Sequence, residues 1–286
     1  MTNETPIGDF VNCHGLTSAS KTEPFVQYLK STWQRRDFIK ELAHARNTQQ
    51  YSDSLLGRIW QLITPFLNAA IYFLIFGILL GTSKGIENFI GFLVAGVFVF
   101  DFMQSTISAS SNSILKNENL IRAVHFPKLI LPLAIILQEI QQYLISIIVL
   151  ILIILATGEP ITLMWLTLPL ILLLQTIFTT GLALILARWG ARSRDVKQLL
   201  PFFTRTWRYA SGVFFSIAAF TATMPNFVGT ALTLNPGAVY IDLVRDSLMA
   251  SESSEPLIWF MGVVWALIFF AIGLVYFYRG EKKYGN

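Results

Sequence analysis

Five runs of about twenty apolar residues dominate this 286-residue chain, and each is long enough to cross a hydrocarbon core about 30 Å thick as an α-helix. They occupy residues 62–81, 88–109, 131–156, 161–187 and 257–278. Lipid offers no partner to a free backbone N–H or C=O, so runs of this length are read as helices. A sixth run, 199–219, carries Arg205 and Arg208 but continues through residues 209–220 without a charge. It is read as a span as well, because the remaining topology needs it. The chain is 54% hydrophobic and 13% charged, against about 25% charged in a soluble domain. It lacks the polar surface to cover a single buried core. The fold class that follows is an all-α polytopic membrane protein with six transmembrane helices.

Charge sets the direction of threading. Most of the 21 Lys and Arg residues fall in four places. Lys21, Lys30, Arg35, Arg36, Lys40, Arg46 and Arg58 precede the first run, and Lys116, Arg122 and Lys128 follow the second. Arg188, Arg192, Arg194 and Lys197 follow the fourth, while Arg279, Lys282 and Lys283 close the chain. Only Lys84 and Arg245 lie opposite them. Cytoplasmic loops are rich in Lys and Arg, so both termini are expected in the cytoplasm. The net charge of +4 then reflects topology, and no nucleic-acid partner is implied. The first 25 residues are polar and show no signal peptide, so the first span is expected to direct insertion. A single cysteine, Cys13, excludes an internal disulfide. Trp60, Trp189, Tyr276 and Tyr278 fall at expected inner interfaces, and Trp165 and Trp259 at outer ones.

Residues 1–22 read as a cytoplasmic tail, 23–61 as amphipathic helices, 62–278 as the transmembrane domain and 279–286 as a second tail. Pro24 suits a first helical turn. Phe25, Leu29 and Trp33 then recur at helical spacing, and the stripe shifts near Arg36, which predicts a kink or two short helices. Such helices fit the anionic cytoplasmic surface of the membrane, with a soluble amphipathic helix packed on a partner as the alternative. Residues 52–60, ending at Trp60, form a second element of this kind. Residues 220–251 hold two apolar runs too short to cross, broken by Pro225, Gly229, Pro236 and Gly237. Broken backbone survives at membrane depth only inside protein or beside water. The segment reads as a re-entrant pair of half-helices that dips in from outside and returns at Asn235 and Pro236. An external loop with apolar patches is the alternative.

No catalytic constellation is visible. The chain has no G-x-x-x-x-G-K-[ST] phosphate loop and no H-E-x-x-H, and His14, His44 and His125 are too dispersed for a metal site. Gly77 and Gly81 form a G-x-x-x-G, a weak sign of a dimer face. Ionisable residues inside spans are functional candidates by default. Asp101 lies mid-way through the second span, Glu139 sits among Gln138, Gln141 and Gln142 in the third, and Arg205 and Arg208 share a face of the fifth. Trp207, Tyr209, Phe214 and Phe215 lie between and after the arginines. An aromatic and polar lining suits a sugar, whose apolar faces stack on rings while its hydroxyls need partners. The arginines have a structural reading, snorkelling to the inner surface. Asp101 has one too, a buried salt bridge to another helix.

Four ordered motifs carry a resemblance. Ser52-Asp-Ser-Leu-Leu-Gly57-Arg-Ile-Trp60 is followed by Thr64-Pro65 and Ile71-Tyr72. Asn117-Glu118-Asn-Leu-Ile-Arg122 precedes Phe126-Pro127. Arg194-Asp195-Val196 and Leu234-Asn235-Pro236, with Arg245 beyond, complete the order. Together they resemble the ABC-2 type permeases that export polysaccharides of the O-antigen, galactan and teichoic acid kinds. Asp101 departs from the pattern, which usually has an aromatic residue in that stretch.

The resemblance implies the permease subunit of an ATP-driven exporter in the bacterial cytoplasmic (inner) membrane, carrying a lipid-linked polysaccharide. It implies a partner ATP-binding subunit that holds ATP and Mg, a second copy of this chain, and no cofactor or enzyme activity in the chain itself. Asn117, Glu118, Arg122, Phe126, Pro127, Arg194 and Asp195 become candidates for coupling to that ATPase. Arg205, Arg208, Trp207, Tyr209, Phe214, Phe215 and Asp101 become candidates for the substrate path, with Arg205 and Arg208 drawing in the pyrophosphate. Pro225, Asn235 and Pro236 become candidates for an external gate. An ABC-2 exporter of a lipid or drug is the nearest alternative. A secondary transporter would show repeats and ion-coupling residues, and a transferase a cluster of His or carboxylates, neither of which is apparent.

Overall fold

Residues 24–51, 57–81, 86–124, 126–221, 225–250 and 255–281 are described by the computed structural model. Cys13, His14, His125, both tails in large part, residues 52–56 of the opening motif and Lys84 lie outside them. The described residues are helical throughout, with no strand among them.

Two helices precede the membrane body. In α1 (Phe25–Gln34), Pro24 is extended and its carbonyl accepts the Tyr28 N–H at 2.8 Å, closing the first turn. The helix stops at Arg35, beside the expected kink, and α2 (Arg36–Tyr51) follows. After a 3₁₀ turn at Gly57–Ile59, α3 (Trp60–Tyr72) runs into a π-helical stretch, Phe73–Leu79. Asn88 caps α4 (Phe89–Ser111), its side chain accepting the Gly91 N–H at 3.0 Å. The short α5 (Glu118–Ala123) leads to α6 (Ile130–Ala156), and a 3₁₀ turn at Leu163–Thr167 leads to α7 (Leu168–Arg192). Then come α8 (Val196–Ala210), α9 (Ile217–Thr221), α10 (Asn226–Thr233), α11 (Pro236–Leu248) and α12 (Pro256–Tyr278).

Among the described residues, five segments are long and apolar enough to cross a membrane: Trp60–Leu79, Phe89–Ser111, Ile130–Ala156, Leu163–Arg192 and Pro256–Tyr278. A sixth passes only if Phe227–Thr233 and Pro236–Leu248 are counted together, and these meet at 70°. The stretch 199–219, expected as one continuous span, is not one helix. Ala210 ends α8, Gly212 turns the chain at φ +63°, and helix resumes only at Ile217. A side chain at Gly212 would meet both an unfavourable left-handed backbone and the Ile217 side chain.

The connections sort into two ends. At one, the Tyr28 hydroxyl donates to Glu281 Oε2 at 2.7 Å and accepts the Leu129 N–H at 3.1 Å, while the Lys128 N–H donates to Glu281 Oε1 at 3.0 Å. This joins α1, the start of α6 and the end of α12. The Arg188 guanidinium, near the end of α7, donates to the Tyr276 carbonyl and lies 4.0 Å from that ring's centroid. We call this the basic end. At the far end, Asn88 donates to Thr157 at 2.7 Å and to Glu159 at 3.0 Å, and Glu159 accepts the Ala250 N–H at 3.2 Å. There α4 begins, α6 turns toward α7, and α11 has just finished.

Helix α4 is the centre of the body, with 78% of its span buried inside the chain against 6% for Trp60–Leu79. Around it, α7 and α12 cross with their backbones nearly touching. A Cβ at Gly181 would sit in the Phe269–Phe270 backbone, and one at Gly273 in the Gly181 backbone. Small residues let membrane helices approach this closely, where dispersion and packing take over from the hydrophobic effect. The α2 helix runs beside the first half of α6, with Phe38 against Phe126 and Asn47 donating to Gln141 at 2.5 Å.

Candidate functional site

Three helices place residues that are polar in all but one position at i, i+3, i+4 and i+7, the spacing that gathers side chains on one helical face. On α3 these are Gln61, Thr64, Pro65 and Asn68. On α4 they are Asp101, Gln104, Ser105 and Ser108, and on α6 Glu139, Gln142, Tyr143 and Ser146. All three faces line one cavity of about 680 Å³. Gln50 from α2, Trp60, Phe98, Phe102 and Arg208 complete its wall. Pro65 has no N–H to give, so the helical bond to the Gln61 carbonyl is missing within the wall.

Arg208 from α8 is the charged centre of this wall. Its guanidinium is paired with Asp101 and also donates to Gln104 Oε1 at 2.7 Å and to the Tyr72 hydroxyl at 3.1 Å. The Phe100 ring lies 5.2 Å from its centre. The Arg208 side chain is 12% exposed and that of Asp101 35%, so the pair stands at the cavity wall and not in bulk water. Tyr143 is held from behind, its hydroxyl donating to Gln175 at 2.7 Å while Gln175 donates to the Val99 carbonyl at 2.9 Å. Phe102 stacks on Tyr143 with ring centroids 4.3 Å apart. At one margin Gln138 and Gln142 each donate to Gln50 at 2.9 Å.

Where α8 ends, α11 begins. Asn235 accepts from Trp207 Nε1 at 2.7 Å and from the Gly237 N–H at 3.0 Å, and donates to the Ala210 carbonyl and the Ser211 hydroxyl, each at 3.0 Å. One amide side chain therefore caps α11 and satisfies the last carbonyl of α8, that of Ala210. Trp265 donates to the Leu234 carbonyl at 3.0 Å, which ties the same bend to α12. Arg245 is buried, and its guanidinium donates at 3.1–3.2 Å to the carbonyls of Phe92, Gly212 and Val213, where α8 has unwound. A smaller cavity of about 440 Å³ lies there, lined by Ser216, Thr230, Thr233, Asp242, Arg245 and Glu255 among others.

A family model described as ABC-2 type transporter matches residues 38–249. The chain belongs to the ABC-2 type transporter family. Three curated relatives of this ABC-2 transporter are each named O-antigen export system permease protein RfbA. One from Klebsiella pneumoniae is 26% identical over 223 residues, 77% of this chain and 84% of its own length. One from Myxococcus xanthus is 23% identical over 211 residues, 74% of this chain and 80% of its own. A second from Klebsiella pneumoniae is 27% identical over 201 residues, 70% of this chain and 75% of its own.

In this ABC-2 transporter the expected site residues have different fates. Asp101 and Arg208 meet, and the structural reading of Asp101 as an interhelical ion pair matches its geometry. Arg205, one turn earlier, is exposed, as are Phe202, Phe203 and Tyr209. Phe214 is buried and stacks on Phe76 at 4.2 Å, outside the main cavity, while Phe215 packs against Phe220 at 5.0 Å. Glu118 and Arg122 form an exposed i, i+4 pair at 2.5 Å. Beside them Asn117 accepts from Arg46 at 3.4 Å, and burial lowers the Arg46 guanidinium from its ordinary pKa. Phe126 and Pro127 are buried, whereas Arg194 and Asp195 are exposed. Lys128 is lowered by burial, against the pull of the Glu281 carboxylate. Pro225 opens α10, apart from Asn235 and Pro236 at the bend. Phe25 packs edge-on to Tyr278 at 5.1 Å, Leu29 is half-buried, Trp33 is exposed and Trp60 lines the cavity. Sequence reasoning missed Gln104, Ser105, Ser108 and the Tyr143–Gln175 pair. For all but Gln175 the signal was the repeated i, i+3, i+4, i+7 spacing within otherwise apolar spans.

Proposed function

We propose that this chain is the membrane permease subunit of an exporter that moves a lipid-linked polysaccharide out of the bacterial cytoplasm, driven by a separate ATP-binding subunit. The observation that carries the reading is the roughly 680 Å³ cavity walled by three polar helix faces. Amides, hydroxyls and aromatic rings inside an otherwise apolar bundle suit a hydroxyl-rich chain, and the named relatives export O-antigen. The basic end faces the cytoplasm under the Lys/Arg rule, with both termini on that side. Trp60–Leu79 leaves Leu62, Phe66, Leu67, Ile71 and Leu74 exposed, which supports a second copy of the chain completing the path. The partner subunit holds ATP and Mg, and α5 with the exposed Arg194–Asp195 turn is the surface it engages.

In this mechanism closure of the ATPases pushes α5 and the buried Phe126–Pro127 corner. Their connection to α1, α2 and Glu281 passes the movement to α4 and α6, which line the path. The bend at Asn235–Pro236 forms the external gate, and the exposed Arg205, outside the cavity wall, meets the pyrophosphate at the inner mouth. The decisive experiment is purification of the chain with its ATP-binding subunit and measurement of hydrolysis with added lipid-linked glycans. Stable copurification with glycan-stimulated hydrolysis is the expected result. Failure to copurify with any ATPase overturns the reading.

A further inference from the structure

The charge in the main cavity does not fit an anionic chain. Among the described lining residues the ionisable carboxylates and cations are Asp101, Glu139 and Arg208. Arg208 is the one cation, and three of its five N–H donors are committed to Asp101, Gln104 and Tyr72. Glu139 is half-buried on the α6 face, across from Ser105, and no described cation lies within ion-pair distance of it. The rest of the wall is Gln, Asn, Ser, Thr, Tyr, Trp, Phe and Pro. The Asp101–Arg208 pair is neutral as a unit, so Glu139 is the one uncompensated carboxylate among neutral donors and acceptors. In a partly desolvated space a repelled charge costs more than it does in water.

We propose that this cavity is a selectivity site for uncharged, hydroxyl-rich chains, in which Asp101 silences Arg208 and Glu139 turns away glycans bearing carboxylates or phosphates along their length. Specificity here comes from a repulsive element as much as from attractive ones. The inference rests on the polysaccharide-export reading and sharpens it. The anionic group of a lipid carrier would be met outside this wall, leaving the cavity to the sugar chain. Asp101 and Glu139 are then specificity-determining residues, and Gln104 and Tyr72 position Arg208.

The test uses the full chain in lipid nanodiscs, with maltohexaose as the neutral probe and hexagalacturonate as the anionic one. Binding is read as saturable tryptophan quenching, with Trp60→Phe identifying the part that arises in the cavity. Maltohexaose is expected to bind at least about tenfold more tightly than hexagalacturonate, about 1.4 kcal/mol. Glu139→Gln and Asp101→Asn should each narrow that ratio by raising the affinity for hexagalacturonate. The wild-type comparison stands even if a variant does not fold. Equal or tighter hexagalacturonate binding by the wild type overturns the proposal and leaves polysaccharide export intact. Binding of neither probe also overturns it, and copurification with the ATPase then reports separately on the export reading. A preference for maltohexaose that neither variant alters removes Asp101 and Glu139 from the account and overturns the mechanism proposed for it.

Discussion

Arg208 and Asp101 show how a charge is tolerated inside an apolar bundle. Each supplies what the other lost on leaving water, and Gln104 and Tyr72 accept two further guanidinium hydrogen bonds. Removing one partner strands the other, whereas removing both strands neither. Arg208→Ala and Asp101→Ala should therefore each lower stability by on the order of 1–3 kcal/mol. The double variant Asp101→Ala/Arg208→Ala should be less destabilised than the sum of the singles, by at least about 1 kcal/mol of coupling. Thermal unfolding in detergent checks this, and simple additivity would show that the pair does not interact. Asn235 makes a different prediction, because its amide serves four partners on two helices. Asn235→Ala should cost about 1–3 kcal/mol. Asn235→Asp keeps the acceptor for Trp207 and Gly237 but loses both donors, so its loss should be intermediate. An alanine variant that melts with the wild type would remove Asn235 from the bend.

At the level of elements, glycine decides how close two helices come. Gly181 sits where α7 meets the α12 backbone, while Gly158, at φ +87°, has open space around its missing Cβ. Gly158→Ala should cost only the left-handed backbone penalty, about 1–2 kcal/mol. Gly181→Val must force two helices apart and should abolish a monodisperse folded protein on size exclusion. Equal behaviour of the two variants would contradict the close crossing. The exposed Glu118–Arg122 pair in α5 contributes at most about 0.5 kcal/mol, so Glu118→Lys should leave the melting temperature in place. It should nonetheless uncouple ATP hydrolysis from export if α5 engages the ATPase, and unchanged coupling would remove that role. Much at this scale was legible in the letters: apolar runs gave the long helices, and the prolines after Phe220 gave the broken segment. The break in α8 was not. Residues 211–216 look like span continuation by hydropathy, and only Asn235 and Arg245, from elsewhere in the chain, satisfy the carbonyls that the break frees. The three polar faces were present as spacing, but that they face one another is a property of tertiary packing. The partnership of Asp101 with Arg208 spans 107 positions, and sequence order alone does not pair them.

For the whole molecule, the described residues form a membrane body with two distinct ends, a polar cavity walled by α3, α4 and α6, and a smaller one at the bend before α11. The two ends carry a topological prediction. In a Cys13→Ser background, Asn119→Cys and Gln198→Cys should react with a membrane-impermeant thiol reagent from the same side, and Thr162→Cys only from the opposite one. Labelling of Asn119→Cys and Thr162→Cys from one side would contradict the threading. The central claim is that this permease and a separate ATPase together carry a polysaccharide across the membrane. Its most direct test is a proteoliposome containing both subunits and a lipid-linked neutral glycan, with an external lectin reporting arrival of the glycan on the far face. The account predicts a lectin signal that requires both subunits and ATP, and that falls when Arg208 or Asp101 is replaced alone. A signal no greater than that from either subunit by itself would contradict it.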